Sequence, residues 1–234
     1  GFPFLGRHWK TARRNLALAY PEEPEGRREA LLRESVRSLI RSGLELFRVR
    51  GGEDPLAYLD GWEGLDGPRR AQDGKRGVLH VTAHLGNWEL LVLIYARLGF
   101  SPQALRQDLK DPRFDAILDE FHSTHGVGLI RRGAGPLPAF RVLARGGVLG
   151  ILADMDTDVE SARGPFFGRK VRAPLGPVVL ARRTGAALIP AFLVRKPAGG
   201  HELRIGPEIP LDHLDDQAAA EAYTSAIEKE IRRA

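Results

Sequence analysis

The chain has 234 residues, of which 43% are hydrophobic, with no cysteine and a net charge of +5. This length and apolar content suffice for a sizeable core, whereas the lack of cysteine excludes a disulfide framework and a thiol nucleophile. Residues 1–50 hold 11 basic and 6 acidic residues, so the whole positive excess lies in this segment. We expect the basic segment to meet the anionic surface of a membrane; a solvated basic face is the alternative, and no nucleic-acid-binding motif accompanies it.

Residues 1–75 are predicted to form a basic helical region and a connector. Apolar residues at helical spacing predict a helix from about Arg27 to Phe47, and the stretch from Gly51 to Lys75 is rich in Gly, Asp and Pro. One face of this helix carries Leu32, Val36, Leu39, Ile40, Gly43 and Phe47. No run of about 18 apolar residues exists, so a membrane-spanning helix is not predicted. We expect the chain to dock peripherally on the membrane through apolar residues near its start, which are Phe2, Phe4, Leu5 and Trp9. The alternative is an anchoring segment outside this chain.

Residues 76–234 alternate between predicted strands and helices and are predicted to form one compact α/β core. The strands are 78–83, 127–130, 148–153, 187–194 and 202–205. The helices are 88–98, 112–124, 137–144, 175–184 and 217–233. This alternation predicts a three-layer α/β/α fold, with a mostly parallel mixed sheet flanked by helices and preceded by the helical region.

A histidine and a glutamate flank the turn between the first strand and helix of this core. His84 follows the strand, Gly86 and Asn87 are turn residues, and Glu89 lies in the first helical turn. The carboxyl ends of strands in open α/β sheets are where ligands bind. Glu89 could fix the tautomer of His84 and leave its other ring nitrogen as a base, although a structural ion pair is the alternative.

Two metal interpretations fail on spacing. His80 and His84 would lie about 13 Å apart along a strand, which is too far to share one zinc ion. A calcium-binding loop that starts at Asp154 would need Gly at its sixth position and Glu at its twelfth, but this chain has Val159 and Pro165 there. We therefore predict no metal and no cofactor.

The segment HLGNWE, residues 84–89, resembles the histidine-plus-acid signature of glycerolipid acyltransferases, in the form found in the bacterial lysophospholipid and lipid A acyltransferase family. That family includes late lauroyl and myristoyl transferases and enzymes that acylate mannosylated phosphoinositides. Further similarity lies in RRNLALAYPE (13–22), DMD (154–156), GPFFG (164–168) and APLGPVVLARRTGAALIPAF (173–192), in the order typical of the family.

The resemblance implies that His84 is the general base which deprotonates a lipid or sugar hydroxyl, with Glu89 orienting it. The hydroxyl would attack an acyl thioester directly, so no covalent acyl-enzyme is needed. Candidates for holding the oxyanion or positioning substrate are Arg106, Arg131, Arg132, Asp154 and Asp156. Late lipid A acyltransferases often carry an arginine on the helix that follows the segment around Arg106. In this chain, His122 falls at that position.

The resemblance also implies an apolar acyl groove, for which Trp88, Leu91 and Phe166 are candidates, with ordinary core packing as the alternative. The expected partners are acyl carrier protein or acyl-CoA as donor and a membrane lipid as acceptor, at the cytoplasmic face of the inner membrane. A thioesterase that uses the same histidine and a noncatalytic lipid-binding module are the two competing hypotheses.

Overall fold

A central sheet with helices on both faces organises the chain, which we describe from a computed structural model over residues 3–108, 111–155 and 158–234. The helices are α1 (Pro3–Ala19), α2 (Glu25–Arg50), α3 (Asp66–Asp73), α4 (Trp88–Arg97), α5 (Pro112–Thr124), α6 (Leu137–Ala144), α7 (Gly176–Thr184) and α8 (Asp216–Arg233). The strands are β1 (Leu59–Glu63), β2 (Val78–Thr82), β3 (Pro102–Arg106), β4 (Gly128–Arg131), β5 (Val148–Leu152), β6 (Ser161–Phe166), β7 (Arg169–Pro174), β8 (Ala187–Arg195) and β9 (His201–Ile205).

Seven strands form the sheet in the order β1-β9-β8-β2-β5-β3-β4. Strands β8, β2, β5, β3 and β4 are mutually parallel, and β9 reverses direction against β8 and pairs in parallel with β1. Strands β6 and β7 form a separate antiparallel hairpin. The predicted mostly parallel mixed sheet is therefore confirmed.

Both faces of the sheet are covered, as the continuous apolar character of β2 requires. Leu79 and Val81 point into a core shared with α6, α7 and α8, whereas Val78 belongs to the core on the other face, with α4 and Phe121 of α5. All five residues of β2 are buried. Because parallel sheets occur with both faces covered, this packing confirms the three-layer prediction.

The connector in the N-terminal prediction needs correction, and the exposure of α2 is a further finding. The segment from Gly51 to Lys75 is more than a connector, because β1 adds an edge strand to the sheet and α3 packs near β8. The apolar face of α2 is largely solvent-exposed: Ile40 is 59% and Phe47 73% exposed, although Leu32 is buried. The division at residue 75 stays a prediction; both segments contribute strands to one sheet.

None of the helices in the described part of the chain is both long and apolar enough to cross a bilayer. Phe2 and the side chains of Phe4 and Leu5 lie outside what the structure describes, and Trp9 is partly buried on α1.

Candidate active site

His84 and Asp154 meet at the carboxyl edge of the sheet because their strands are neighbours. Strands β2 and β5 pair in parallel with Thr82 opposite Leu152, and each of the two residues stands two positions beyond that pair. Asp154 accepts hydrogen bonds from the backbone nitrogen of His84 through Oδ2 and from the ring Nδ1 through Oδ1, both at 2.9 Å. The carboxylate thus fixes the main chain and the imidazole of His84 together.

This contact sets the tautomer of His84. A carboxylate accepts only, so Nδ1 carries the proton and Nε2 is left with a lone pair. The Asp154 hydrogen bond raises the pKa of His84 above its ordinary value; burial lowers this pKa, and the negative charges of Asp154 and Glu89 raise it further. The imidazole is 36% exposed, and its ring packs edge to face on Trp88 at 4.9 Å between centroids. His84 is therefore an accessible base.

The turn after His84 needs a glycine. Gly86 has φ of +63°, and a Cβ there would overlap the carbonyl oxygen of Leu193, with which the turn forms a bridge. Asn87 is the predicted N-cap of α4, and this is confirmed: its Oδ1 accepts from the nitrogen of Leu90 at 3.1 Å. The turn is thus held against β8 and capped onto α4.

A buried polar cluster connects this turn to α2. The Asn87 amide donates to Glu45 at 2.9 Å, and Arg195, at the end of β8, binds both oxygens of Glu45. Ser42 donates to the carbonyl oxygen of Gly86 at 3.3 Å. The middle of α2 therefore packs directly behind the His84 turn.

The predicted hydrogen-bonded pairing of Glu89 with His84 is wrong. Glu89 instead bonds to Nε2 of His122 at 2.9 Å, while Nδ1 of His122 donates to the Leu118 carbonyl at 2.7 Å. Helix α4 begins at Trp88, four residues after His84, and the side chain of Glu89 faces α5. Glu89 therefore acts on His84 only through its charge, and the residue that orients the imidazole is Asp154.

The candidate arginines differ in their surroundings. Arg106 is 12% exposed and bonds to Asp115 at 2.7 Å and Asp119 at 2.6 Å, and Arg131 binds the same two carboxylates. This network ties β3 and β4 to α5. Arg132 is exposed and reaches Gln107 at 3.4 Å.

Two cavities adjoin the His84 edge. Cavity A, of about 90 Å³, lies between the sheet and α4 and is lined by Trp88, Glu89, Leu91, Arg106 and His122 among others. Cavity B, of about 520 Å³, lies among α1, the β6–β7 hairpin and α8, and its lining includes Asp154 and Phe166. The three predicted groove residues are therefore divided, with Trp88 and Leu91 in cavity A and Phe166 in cavity B. Asp156 lies outside the described residues.

The sequence interpretation missed two partnerships. Asp154 is predicted to hold the oxyanion or position substrate, but it contacts His84 instead. His122 is predicted only to stand where relatives carry an arginine, but it bonds to Glu89. One signal in the sequence points to Asp154: His84 and Asp154 each follow a predicted parallel strand. The carboxyl ends of such strands lie at one edge of the sheet, so the two side chains could be expected near each other. No local signal joins His122 to Glu89, since α5 brings it there.

Comparisons with known proteins identify relatives along nearly the whole chain. Residues 2–234 match the family model described as bacterial lipid A biosynthesis acyltransferase. The chain is 32% identical over 253 aligned residues to the lipid A biosynthesis palmitoleoyltransferase of Escherichia coli (strain K12), covering 99% of this chain and 76% of that protein.

Two further relatives differ in their named substrates. The phosphatidylinositol mannoside acyltransferase of Mycolicibacterium smegmatis is 30% identical, over 90% of this chain and 70% of its own. The lipid A biosynthesis myristoyltransferase of Escherichia coli (strain K12) is 25% identical, over 96% and 72%. The chain therefore belongs to the bacterial lipid A biosynthesis acyltransferase family and is an O-acyltransferase.

Proposed function

We propose that this enzyme transfers a fatty acyl chain from an acyl thioester, carried by acyl carrier protein or CoA, to a hydroxyl of a lipid A precursor or related glycolipid. The observation that carries the proposal is the hydrogen bond from Nδ1 of His84 to Asp154, which leaves Nε2 without a partner among the described residues, at a sheet edge that two largely apolar cavities adjoin. The substrates in the names of the relatives, lipid A and phosphatidylinositol mannoside, support a glycolipid acceptor.

In the proposed mechanism, Nε2 of His84 removes the proton of the acceptor hydroxyl as its oxygen attacks the thioester carbonyl carbon. The C–O bond forms, and the carbonyl electron pair moves onto oxygen. Collapse of this intermediate breaks the C–S bond, and the thiolate takes the proton from the imidazolium. Asp154 and Glu89 stabilise that imidazolium, since both raise the pKa of His84.

Arg106 is our candidate for holding the oxyanion. It lines cavity A together with Trp88, and its Nε has no hydrogen-bond partner among the described residues. A guanidinium N–H in a site shielded from water is a strong donor to developing negative charge. Arg131 and Arg132 are assigned supporting positions, because Arg131 is engaged by three aspartates and Arg132 lies at the surface.

Cavity A is assigned to the acyl chain. On the sheet side, cavity A is lined by two small residues, Ala104 and Gly150, which lie opposite each other on the neighbouring strands β3 and β5 and leave space for a chain. The opposite wall comes from apolar side chains of α4, among them Leu91 and Val92. An apolar slot of this kind stabilises a hydrocarbon chain by removing it from water.

Filling cavity A should therefore discriminate against long acyl chains. A Cβ at Gly150 would meet nothing closer than the Gln103 carbonyl at 3.9 Å, so Gly150→Val places its methyl groups in the cavity. We expect a fall of at least tenfold in kcat/KM for long-chain donors and little change for a butyryl donor, measured by thiol release. Gly61→Val on edge strand β1 is the matched control, and equal losses for both donor lengths would contradict the assignment.

Cavity B is assigned to the acceptor lipid. It is the larger cavity, it reaches Asp154, and its lining combines aromatic residues such as Phe166 with Arg169 and Arg172. Apolar walls with guanidinium groups suit a lipid that carries an anionic or sugar head group. The acceptor hydroxyl would extend from cavity B to Nε2 of His84, the ring nitrogen that does not contact Asp154.

The exposed side of α2 is proposed as the surface that docks on the anionic membrane. Its apolar residues are Leu39, Ile40, Leu44 and Phe47, each at least 57% exposed. Exposed arginines at 33, 37, 41 and 48 lie alongside them. An amphipathic helix with this composition binds anionic interfaces through apolar burial and charge attraction. Its inner side contacts the Gly86 turn, so docking would bring His84 close to the lipid surface.

Removing the most exposed aromatic residue of this surface should weaken membrane binding. We expect Phe47→Ala to reduce sedimentation with phosphatidylglycerol-containing vesicles severalfold, while transfer from a butyryl donor to a soluble acceptor is unchanged. Trp62→Ala, on β1, removes another exposed aromatic residue and should bind as wild type. Unchanged vesicle binding with weaker binding of acyl carrier protein would assign the surface to the donor instead.

The proposed function is tested by thiol release from acyl carrier protein and CoA thioesters, with and without a bacterial lipid extract, with products followed by mass. Release that depends on the extract and yields an acylated glycolipid is the expected result. Release of free fatty acid at the same rate with or without lipid would identify a thioesterase and contradict the transferase mechanism.

A further inference from the structure

Besides Nε of Arg106, two buried polar groups line cavity A without any hydrogen-bond partner among the described residues. They are Nε2 of His80 and the hydroxyl of Tyr95. His80 is 4% and Tyr95 2% exposed, and the two rings pack edge to face with centroids 4.8 Å apart. Buried polar atoms are nearly always hydrogen-bonded, so a pair without partners in one cavity needs an explanation.

The pair lies in the part of the cavity remote from His84: His80 is level with Gly150 and Ala104, and Val148 and Pro102 line the cavity one pair deeper. His80 precedes His84 by four residues along β2, which corresponds to about 13 Å. Tyr95 lies seven residues beyond Trp88 on α4, about 10 Å along the helix axis. An acyl chain that enters past Trp88 would therefore reach His80 and Tyr95 only after it had passed the level of Thr82 and Leu152.

The hydrogen-bonding character of the pair follows from its surroundings. Nδ1 of His80 donates to the Ile189 carbonyl at 3.0 Å, so Nε2 is an acceptor. Burial lowers the pKa of His80 to about 4 and raises that of Tyr95, so both groups are neutral at neutral pH. One water molecule could donate to His80 and accept from Tyr95, whereas a hydrocarbon chain could do neither.

We propose that His80 and Tyr95 form a polar end to the acyl cavity that limits the length of the transferred chain. A chain that ends above the pair leaves their water in place. A longer chain displaces this water and leaves both groups without partners, which disfavours it on the order of 10-fold or more per group. The inference rests on the proposed function, because it assumes that cavity A holds the acyl chain.

The test is a competition among saturated acyl donors that increase by two carbons, with product lengths read by mass. In Tyr95→Phe, we expect the kcat/KM ratio of the first disfavoured longer donor to the preferred donor to rise about tenfold. Tyr58→Phe is the matched control, since its hydroxyl bonds to Glu53 outside the cavity. Tyr95→Phe removes one oxygen without altering ring volume, and its melting temperature checks folding.

The outcomes separate this inference from the proposed function. If wild type transfers no acyl chain, the proposed function fails, and displacement of a fluorescent fatty acid by chains of each length still tests the polar end. Transfer with an identical length profile in wild type and Tyr95→Phe would overturn the inference alone. A wild-type preference for donors with a hydroxyl group within the chain would also overturn it, because the pair would then recognise that group.

Discussion

Replacing His84 by alanine should reduce kcat for acyl transfer by roughly 10²–10⁴-fold, the range that a general base contributes. Nε2 of the imidazole has no hydrogen-bond partner among the described residues, and the chain has no cysteine that could act in its place. The fold should survive, because the side chain is 36% exposed and lies at the edge of the sheet. The measurement is the pre-steady-state and steady-state rate of acylated lipid formation.

The matched control for this substitution is His213→Ala, which removes an exposed histidine far along the chain. It should transfer acyl chains at the wild-type rate. His84→Ala should still bind a long-chain donor, because cavity A is unchanged. Acyl transfer by His84→Ala at more than a tenth of the wild-type rate would refute the general-base role.

The sequence predicts the sheet core well because buried parallel strands carry a continuous apolar signal. The predicted strands that start at Val78 and Val148 agree with the structure to within one residue. The predicted helix Pro112–Thr124 agrees at both ends, and its start is marked by the Asp111 cap and by a proline in the first position. Strand β3 was missed because it is short and begins with Pro102. The hairpin β6–β7 was noted only as a motif, although Phe167 and Gly168 form its turn with positive φ.

The contacts of the site were harder to predict because they join distant segments. Glu89 is five residues from His84, and nearness in sequence favoured it over Asp154, which is 70 residues away. Only the pairing of β2 with β5 brings Asp154 to the ring, and only α5 supplies His122 to Glu89. The exposed side of α2 illustrates the same limit: its spacing predicts a helix but does not say which side faces the core.

Replacing Asp154 by asparagine should disable His84 while leaving it in place. An asparagine oxygen can still accept from the His84 backbone nitrogen, but its NH₂ group would face Nδ1 and favour the tautomer with the proton on Nε2. That nitrogen is the proposed base, so we expect kcat to fall by about 10²–10³-fold at neutral pH. Asp212→Asn, which replaces an exposed carboxylate after β9, is the control and should be near wild type.

The pH dependence separates this role from a purely structural one. In wild type, kcat/KM should rise with pH as His84 loses its proton, at an apparent pKa above the ordinary value of about 6.5, because Asp154 raises it. In Asp154→Asn that acid limb should move to lower pH. The raised pKa also means that the His84–Asp154 contact stabilises the fold fully below the unfolded pKa and loses this contribution as pH rises through the folded pKa.

Urea unfolding should therefore show Asp154→Asn to be more destabilised relative to wild type at pH 5.5 than at pH 9. A rate loss with the same acid limb as wild type, and with equal destabilisation at both pH values, would contradict the assignment.

Glu89→Gln gives an intermediate case, since Glu89 acts on His84 only through its charge. This substitution should shift the acid limb of the pH profile to lower pH without changing the tautomer of His84. Its loss of kcat should therefore be smaller than that of Asp154→Asn. The order of the two losses tests directly which carboxylate orients the base.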